Sequence, residues 1–524
     1  MEDGSIQSFA LTVDKIIDHA AKWHGDAEVV TAGAGGAVKR IGYAGARERA
    51  CRLSGALAKL GVRPGGRVAT LAWNSQGHFE AWYAIMGMGA TCHTLNPRLT
   101  LQQTAAMLSQ SRAEILIASI DLLPLARDIA GKVHPVQIIV IDGDGRDTGS
   151  PEMHLDRLLA DSLPDVPWGD FAETTACGLC FTSGTTGQPK GVTYTHRSTY
   201  LHTLRLLQAD VMGLTAADVV LPVVPMFHAS AWGIPFAAPA VGAKLVLPGR
   251  EMDGASLARL IASEGVTVAS GVPTVWLGLV EHLEAEGGEL PSLRRVLVGG
   301  SPMPPALMKR IETRLGVVVQ TSWGMTELSP LGTIASPVDP NREAGVSGRP
   351  PIGIDLLLTD AEGRPLSSQR EAEGHLRVRG ASVVERYLGQ TEPATDEQGW
   401  FDTGDLARID TRGNLVITGR AKDLIKSGGE WINPAQIEAI VSGLPQVSLA
   451  AVVGRSDPKW GERPILLVEL RQDEHLTDEQ ILEPLNGRVA PWWIPDEVVR
   501  LRKMPTAATG KVDKSHLRLQ YGRS

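Results

Sequence analysis

The sequence has few cysteines and no excess of basic charge. Four cysteines in 524 residues are too few for a disulfide framework, which indicates a reducing compartment and predicts a cytoplasmic protein. Lys and Arg number 51 against 59 Asp and Glu, so the net charge of −8 argues against nucleic acid as a partner. Hydrophobic residues make up 43% of the chain, which excludes wholesale disorder.

The sequence also lacks a run suited to a lipid bilayer. The N-terminal residues have no basic region of the kind that opens a signal peptide. Residues 219–243 contain no charged side chain, but they include Pro222, Pro225, Pro235, Pro239 and His228. Prolines at this density are unfit for a lipid-exposed helix, so we expect a buried strand, a turn and a short helix, and no transmembrane segment.

The pattern along the chain predicts an α/β protein with a second, α+β part. Apolar runs alternate with amphipathic segments from residue 68 to 322, which predicts mostly parallel sheets in βα layers. Residues 345–419 are rich in Gly and Pro with short strand-like runs, which predicts a β-rich subdomain. After Arg420 the pattern predicts a small α+β unit, including a helix capped by Thr477 and Gln480. We therefore divide the chain into a large domain, 1–419, and a small mobile domain, 420–524.

A loop rich in glycine and hydroxyl groups follows a predicted strand. Residues 182–191 read Thr-Ser-Gly-Thr-Thr-Gly-Gln-Pro-Lys-Gly. The glycines permit positive φ, so backbone N–H groups can converge on an anion, and the hydroxyls and Lys190 add donors. This combination predicts a polyphosphate site, although the spacing is not that of a Walker loop.

This loop resembles the signature of the AMP-forming acyl-CoA synthetases, within the adenylate-forming ligase superfamily. Further motifs follow in the family's order: Thr-Ser-Trp-Gly-Met-Thr-Glu at 321–327, Trp-Phe-Asp-Thr-Gly-Asp at 400–405, Gly-Arg-Ala-Lys at 419–422, Lys-Ser-Gly-Gly-Glu-Trp at 426–431 and Pro-Thr-Ala-Ala-Thr-Gly-Lys at 505–511. The resemblance covers almost the whole chain. It is strongest to bacterial medium- and long-chain fatty-acid–CoA ligases and methylmercaptopropionate–CoA ligases.

The resemblance implies a nucleotide site for ATP and AMP. Its residues are those of the phosphate loop, Thr182, Ser183, Gly184, Thr185, Thr186 and Gly187; those after a predicted strand, Gly299, Gly300, Ser301 and Pro302; and Thr321, Ser322, Trp323, Gly324, Met325 and Thr326. Trp323 stands where the family usually has Tyr, and its aromatic face is expected to stack on adenine. Asp405 is implied for the ribose, because a carboxylate can accept both hydroxyls, with Arg420 as a donor.

The family reaction proceeds in two halves, through an acyl-adenylate. A carboxylate attacks the α-phosphorus of ATP, and the thiol of coenzyme A then takes the acyl group. Because two anions must meet first, the resemblance implies cations: Lys190, Lys511 and Mg²⁺ held by Glu327.

The two halves are expected to use two poses of the small domain. The resemblance implies a hinge at Lys422 that presents Lys511 first. The segment presented second would form the coenzyme A tunnel: Lys426, Ser427, Gly428, Gly429, Glu430 and Trp431.

The acid pocket is expected around residues 225–233, which resemble the start of the family's acyl-pocket helix. His228 would lie beside the carboxylate, and Trp232, one helical turn later, would share its face and line the acyl tunnel, with Gly324. No Lys or Arg occurs in this segment, which favours an acid with one carboxylate.

Several readings remain open at this stage. The acid can be a fatty acid, a short thioether acid or an aryl acid of the cinnamate type. Alternatives within the fold are an enzyme that loads a carrier protein, a luciferase-like monooxygenase and an inactive nucleotide-binding module. Relatives with this N-terminal layout are often homodimers, so a homodimer is one expected assembly.

Overall fold

A computed structural model describes residues 5–143, 152–182, 189–506 and 512–522. The N-terminal elements alternate between strands and helices: α1 (Asp14–Trp23), β1 (Glu28–Ala32), β2 (Val38–Gly42), α2 (Tyr43–Lys59), β3 (Arg67–Leu71), α3 (Gln76–Gly87), β4 (Thr91–Thr94), α4 (Leu101–Ser111), β5 (Ile115–Ser119), α5 (Leu123–Ala130), β6 (Gln137–Ile141), β7 (Met153–His154) and α6 (Leu155–Ala160).

The alternation continues to residue 334: β8 (Ala176–Thr182), β9 (Lys190–Thr195), α7 (His196–Leu206), β10 (Val219–Pro222), α8 (Ile234–Val241), β11 (Lys244–Leu247), α9 (Gly254–Glu264), β12 (Val268–Gly271), α10 (Pro273–Glu286), β13 (Arg295–Val298), α11 (Pro305–Leu315), β14 (Val318–Gly324) and β15 (Leu331–Ile334). The apolar runs at 67–73, 114–119, 136–141, 243–248 and 295–298, which the sequence predicts as strands, form β3, β5, β6, β11 and β13.

Within the described residues, these strands form two mostly parallel sheets. The first has the order β7-β6-β5-β3-β4-β8-β9, and the second has the order β15-β14-β13-β12-β10-β11-β1-β2. Only the pairs β8–β9, β1–β2 and β14–β15 are antiparallel among them. Every residue of β4, β5 and β12 is buried, as expected for strands covered on both faces.

Aromatic residues join the two sheets through the helices between them. Trp82 of α3 stacks on Phe236 of α8, with ring centroids 5.6 Å apart, and Tyr83 meets the same phenyl ring edge-on. All three side chains are almost fully buried. Burial of such large apolar surfaces is a major stabilising contribution, so both sheets share one core.

The uncharged run 219–243 forms β10, a tight turn and α8, as predicted. In the described residues no helix has both the length and the hydropathy needed to cross a bilayer. The turn, Ala229–Gly233, is left-handed: φ is 41° at Ala229, 55° at Ser230, 47° at Ala231 and 55° at Trp232. The expectation that His228 and Trp232 share a face of one right-handed helix is therefore wrong. Left-handed backbone costs L-residues about 1–2 kcal/mol each, so surrounding packing must hold this turn.

The rest of the chain forms two smaller sheets. The strands β16 (Ile354–Thr359), β17 (Glu373–Gly380), β18 (Phe401–Ile409) and β19 (Leu415–Arg420) make an antiparallel sheet, the expected β-rich subdomain. The small unit contains β20 (Ile425–Ser427), β21 (Glu430–Ile432), α12 (Pro434–Val441), β22 (Val447–Asp457), β23 (Gly461–Leu470), α13 (Asp478–Leu482), β24 (Glu497–Arg500) and α14 (Lys514–Tyr521). The predicted capping box of Thr477 and Gln480 is present at α13.

Candidate active site

A cavity of about 1070 Å³ opens between the two parts of the chain. Its lining includes the carboxyl ends of strands, represented by Thr182 of β8, Leu297 of β13 and Gly324 of β14. Ligands in parallel α/β sheets bind at this edge, because the connecting loops diverge there. The small unit closes one side with residues 512–515 and Arg518.

The predicted phosphate loop is anchored at this cavity by its two ends. Thr182 and Lys190 are register partners in the β8–β9 hairpin, and both line the cavity. Residues 183–188, which include five of the predicted loop residues, lie outside the described part of the chain. The Lys190 ammonium lies 4.9 Å from the ring centroid of Tyr387, a cation–π contact that keeps this charge at the cavity wall.

Glu327 is nearly buried and is held by Tyr387, which lies outside the sequence motifs. It lies on the turn Thr326–Leu328 directly after β14, with 8% of its surface exposed. The Tyr387 hydroxyl donates to Glu327 Oε1 at 2.9 Å. Leu388 N–H donates to the Gly191 carbonyl, which docks this segment beside Lys190. Burial, and the charge of Glu327, raise the pKa of Tyr387, so the hydroxyl keeps its proton and remains a donor.

Asp405 is held from two sides. Its side chain is 2% exposed, and Arg420 Nε lies 2.7 Å from Oδ1 across the β18–β19 pair. Trp323 Nε1 donates to Oδ2 at 2.9 Å. Trp323 and Arg420 both line the cavity, and Asp405 lies directly behind them. Trp323 therefore makes a specific polar contact in addition to the aromatic wall that the sequence predicts.

The predicted adenine wall is divided between lining and supporting residues. Gly300, Ser322, Met325 and Thr326 line the cavity. A Cβ at Gly299 would lie 2.5 Å from Ser322 Oγ and 3.2 Å from the Trp232 ring, so only glycine admits both side chains. Three other predicted residues do not line the cavity: Ser301, Pro302 and Thr321. The Thr321 hydroxyl donates instead to the Val346 carbonyl.

The cavity wall includes a group of apolar side chains, here called the apolar arm, to which Trp232 belongs. His228 and Trp232 both line the cavity, despite the left-handed turn between them, and the Trp232 ring packs beside Gly299. Gly324 also lines the cavity, where a Cβ would meet the Pro330 carbonyl oxygen at 2.2 Å. The other residues of the apolar arm were not predicted from the sequence: Leu206, Met212, Leu297, Leu331 and Ile334. These side chains belong to elements spread over more than a hundred positions, so local pattern could not group them.

The junction between the two parts also lies at the cavity. The third sheet, made of β16 to β19, ends at Arg420, and the sheet of the small unit begins at Ile425. Lys422, in the turn between them, lines the cavity, and burial together with the nearby Arg420 charge lowers its pKa. Val512 also lines the cavity, whereas Lys511 lies outside the described residues.

The predicted coenzyme A segment does not line the cavity in this arrangement. Lys426 and Ser427 lie on β20, Gly428 and Gly429 make the turn, and β21 begins with Glu430 and Trp431. Trp431 is 54% exposed, and the Lys426 ammonium lies 5.5 Å from its ring centroid. Gly428 has φ of 60°, and a Cβ there would lie 2.6 Å from the Trp460 ring. The hairpin therefore packs closely against Trp460, while its other face is exposed to solvent.

Glu327 is the candidate ligand for a divalent cation at this cavity. Among the described residues no group of three or more His, Cys, Asp or Glu side chains could enclose a metal ion. Mg²⁺ does not need such a cage, because it usually binds through one or two carboxylates, substrate phosphates and water. Glu327, at the cavity wall near Lys190, fits that type of site.

Sequence comparison identifies known proteins of the same design. The AMP-binding enzyme family matches residues 17–388, and the AMP-binding enzyme C-terminal domain matches residues 436–511. A medium-chain-fatty-acid–CoA ligase of Ectopseudomonas oleovorans is 40% identical, over 99% of this chain and 97% of its own. A 3-methylmercaptopropionyl-CoA ligase of Ruegeria lacuscaerulensis is 39% identical, over 99% and 98%.

Comparison with solved structures gives the same fold. The anthranilate CoA ligase AuaEII, in complex with anthranoyl-AMP, superposes with a TM-score of 0.89. The superposition covers 98% of each chain at 23% sequence identity. Both parts of the chain therefore have counterparts in one known architecture, a large domain followed by a smaller one.

Proposed function

Since the chain belongs to the AMP-binding enzyme family, we propose that it is an acid–thiol ligase that joins an apolar monocarboxylic acid to coenzyme A at the expense of ATP. The acid is first activated as acyl-AMP with release of pyrophosphate. The thiol of coenzyme A then takes the acyl group, and AMP leaves. Because the relatives at about 40% identity are named for fatty-acid and thioether-acid substrates, we propose one of these two classes for this chain.

One observation carries the proposal: charged and apolar side chains line a single cavity, and His228 is among the lining residues. The charged residues include Lys190, Glu327 and Arg420, and the apolar arm includes Trp232 and Ile334. An acid with its carboxylate near the charged residues could place its apolar tail against the apolar arm, and such burial contributes about 25 cal/mol per Å². We therefore propose an acid with one carboxylate and an apolar tail.

The first half-reaction must bring a carboxylate oxygen to the α-phosphorus of ATP, forming a P–O bond as the bond to pyrophosphate breaks. Both partners are anions, so fixed cations lower the barrier. Lys190 lies at the phosphate side of the cavity, and we propose Lys511 as the second cation, between carboxylate and α-phosphate. Glu327 would hold Mg²⁺, which when bound offsets phosphate charge. Tyr387 keeps the Glu327 carboxylate oriented for that role.

For the second half-reaction the small unit would turn about Lys422 and bring residues 426–431 to the cavity. In the present arrangement residues 512–515 line the cavity, and the 426–431 hairpin, apart from Ser427, is exposed. This supports an arrangement suited to activation of the acid, because Val512, which follows Lys511 in the chain, lines the cavity. Because Gly428 and Gly429 have no side chains, the backbone of this segment could lie close to the narrow thiol arm of coenzyme A.

The compartment and assembly are also proposals. All four cysteines are free and buried, which supports a reducing compartment, the cytoplasm. A homodimer is proposed from the family resemblance. Light scattering on the purified protein tests it, with a monomeric mass as the contradicting result.

A screen for pyrophosphate release tests the function. Straight-chain, thioether and cinnamate-type acids are each supplied with ATP and Mg²⁺, first without and then with coenzyme A. Without coenzyme A we expect pyrophosphate and acyl-AMP. With coenzyme A we expect AMP and pyrophosphate in equal amounts, and an acyl-CoA for fatty or thioether acids. Preference for cinnamates would select the aryl alternative, and oxygen consumption the monooxygenase. Adenylation without transfer to free coenzyme A would indicate a carrier-protein acceptor. Release with no acid, or ADP as the product, would overturn the proposal.

A further inference from the structure

The Trp323 indole bridges two sheets at the nucleotide side of the cavity. Trp323 lies on β14 of the second sheet, and its Nε1–H donates to Asp405 Oδ2 on β18 of the third sheet, at 2.9 Å. The bond is buried, since Trp323 is 8% exposed and Asp405 2% exposed. A hydrogen bond from a neutral donor to a buried carboxylate is stronger than one between neutral groups. The contact is therefore a structural link and not an incidental approach.

The two donors to Asp405 differ in their freedom to move. Trp323 is wedged against Gly332, where a Cβ would lie 2.3 Å from the indole ring, so the ring cannot shift toward β15. Arg420, which contacts the other carboxylate oxygen, has a side chain that is 41% exposed and lines the cavity. A ligand entering the cavity can displace the arginine more easily than the indole. The indole bond is consequently the fixed element that determines the plane of the carboxylate.

The chemistry of the indole makes this link specific. An indole N–H donates only and has no lone pair, whereas a tyrosine hydroxyl both donates and accepts. An indole N–H can therefore only hold Oδ2 as an acceptor and cannot itself take a hydrogen bond from a ribose hydroxyl. A second constraint comes from the backbone, because Asp405 N–H donates to Thr403 Oγ1 at 3.1 Å. Together these contacts hold Asp405 in one orientation.

We infer that Trp323 is a positioning residue for ribose recognition: its indole N–H holds Asp405 so that the carboxylate accepts the two hydroxyls of the nucleotide ribose. This inference rests on the proposed function, from which the nucleotide comes. It adds to the aromatic contact a polar role that an aromatic ring without N–H cannot supply. Its consequence is measurable, because loss of the N–H should reduce the contribution of the ribose hydroxyls and leave stacking intact.

The test compares ATP with 2′-deoxy-ATP and 3′-deoxy-ATP in wild type and in Trp323→Phe. We expect wild type to prefer ATP. In the variant, kcat/KM for ATP should fall about tenfold or more, the size of a lost buried hydrogen bond, while the values for the deoxynucleotides, which keep only one of the two hydroxyls, should fall less. The preference for ATP over each deoxynucleotide therefore shrinks. An equal fall for all three nucleotides would overturn the inference and leave stacking as the role of Trp323.

A second variant distinguishes loss of the N–H from loss of the folded structure. Site-specific replacement of Trp323 by benzothienylalanine keeps the bicyclic shape and puts sulfur in place of the N–H. It should reproduce the reduced preference with little change in Tm, and an unchanged preference would overturn the inference. Trp276→Phe is a matched control, because the buried Trp276 indole donates to the Gly271 carbonyl at 3.2 Å, away from the cavity. That variant should lose stability and keep the wild-type preference.

Binding measurements separate this inference from the proposed reaction. Calorimetry with AMP and 3′-deoxy-AMP gives the discrimination between riboses without any turnover. If wild type distinguishes the two ligands and Trp323→Phe does not, the positioning role holds even where no acid is activated. If wild type binds both equally, the role is refuted even where acyl-CoA forms.

Discussion

The nucleotide side of the cavity and the 426–431 hairpin are built in opposite ways. Asp405 and Glu327 are 2% and 8% exposed, and each is fixed by a side-chain donor from another element. Trp431 and Trp460, in contrast, are 54% and 45% exposed. Groups proposed to hold the nucleotide are buried in the large domain, whereas groups proposed to serve one step lie on the surface of the small unit.

The contacts between the two parts suit a unit that can turn. Asn433 Nδ2 donates to the Thr418 carbonyl at 2.7 Å, beside the junction. Farther away, Arg471 Nη1 lies 3.6 Å from Glu281 Oε1, with side chains 30% and 51% exposed. An ion pair this exposed contributes at most about 1 kcal/mol. These ties can break and form again without a large cost.

Glu327→Gln is expected to give the largest loss on the nucleotide side. The carboxylate charge disappears while the size barely changes, so formation of acyl-AMP should fall on the order of 10²-fold. Pyrophosphate release at limiting Mg²⁺ measures it. Glu80→Gln, a buried carboxylate paired with Arg49, is the control and should lower stability without changing the Mg²⁺ dependence. Unchanged release in Glu327→Gln would remove this residue from the metal site.

Trp232→Ala tests the apolar arm. If the ring limits this arm, bulkier or longer acids should gain about tenfold in relative kcat/KM, because pocket discrimination amounts to about 1–3 kcal/mol. A series of acids of increasing length measures it. Trp276→Ala, which empties a buried site elsewhere, should destabilise the protein by several kcal/mol and keep the order of preference. A destabilised Trp232→Ala with the original preference would make Trp232 a packing residue.

Tyr387→Phe should have a smaller effect. Removal of the hydroxyl leaves one oxygen of Glu327 without its donor, at about 1 kcal/mol or roughly a fivefold loss of acyl-AMP formation. The half-saturating Mg²⁺ concentration is the measurement that separates this effect from general damage. Tyr43→Phe removes a buried hydroxyl that donates to the Ala243 carbonyl, and it should leave that concentration unchanged. Equal shifts in both variants would deny Tyr387 a role at Glu327.

We expect the stability of the large domain to decrease at acidic pH. Burial lowers the pKa of His78 to about 4 and the pKa values of His93, His196 and His202 to about 3. Because the unfolded chain binds protons below about pH 6.5 and these folded imidazoles do not, this stability is complete above that pH and falls as the pH drops. At pH 5 each contributes a loss of about 2 kcal/mol.

Urea unfolding at pH 7 and pH 5 measures this loss. His93→Leu provides the sharper test, because neither ring nitrogen of His93 has a hydrogen-bond partner in the described structure. The variant should lose about 2 kcal/mol less than wild type between the two pH values. An identical loss would show that His93 is not one of the groups that respond.

The sequence predicted the elements that local pattern encodes. The apolar strands β3, β5, β6, β11 and β13 and the capping box at Thr477 depend on neighbours along the chain. Local pattern did not reveal β1, because its parallel partner β11 lies some two hundred residues away. It also did not reveal the left-handed turn at Ala229–Gly233, where tertiary packing overrides the preference of four L-residues.

In the candidate site, too, residues within motifs were predicted from the sequence and contacts between distant residues were not. The motif residues Glu327, Asp405 and Arg420 were predicted from the resemblance. In the structure Glu327 and Arg420 line one cavity, and Asp405 contacts Arg420 from behind the cavity wall. Tyr387 carried no signal, because it is a lone tyrosine in a segment that reads only as β-rich. The Trp323–Asp405 bond joins residues 82 positions apart, and nothing local in either motif indicates it.

Two lysines, each tied to one pose of the small unit, test the central claim most directly. Lys511→Ala and Lys426→Ala each remove one ammonium, and each is assayed for acyl-AMP formation and for transfer from synthetic acyl-AMP to coenzyme A. Lys511→Ala should lose about 10²–10³-fold in the first step and keep near wild-type rate in the second. Lys426→Ala should show the opposite bias. Equal losses in both steps for either variant would contradict two poses serving one cavity.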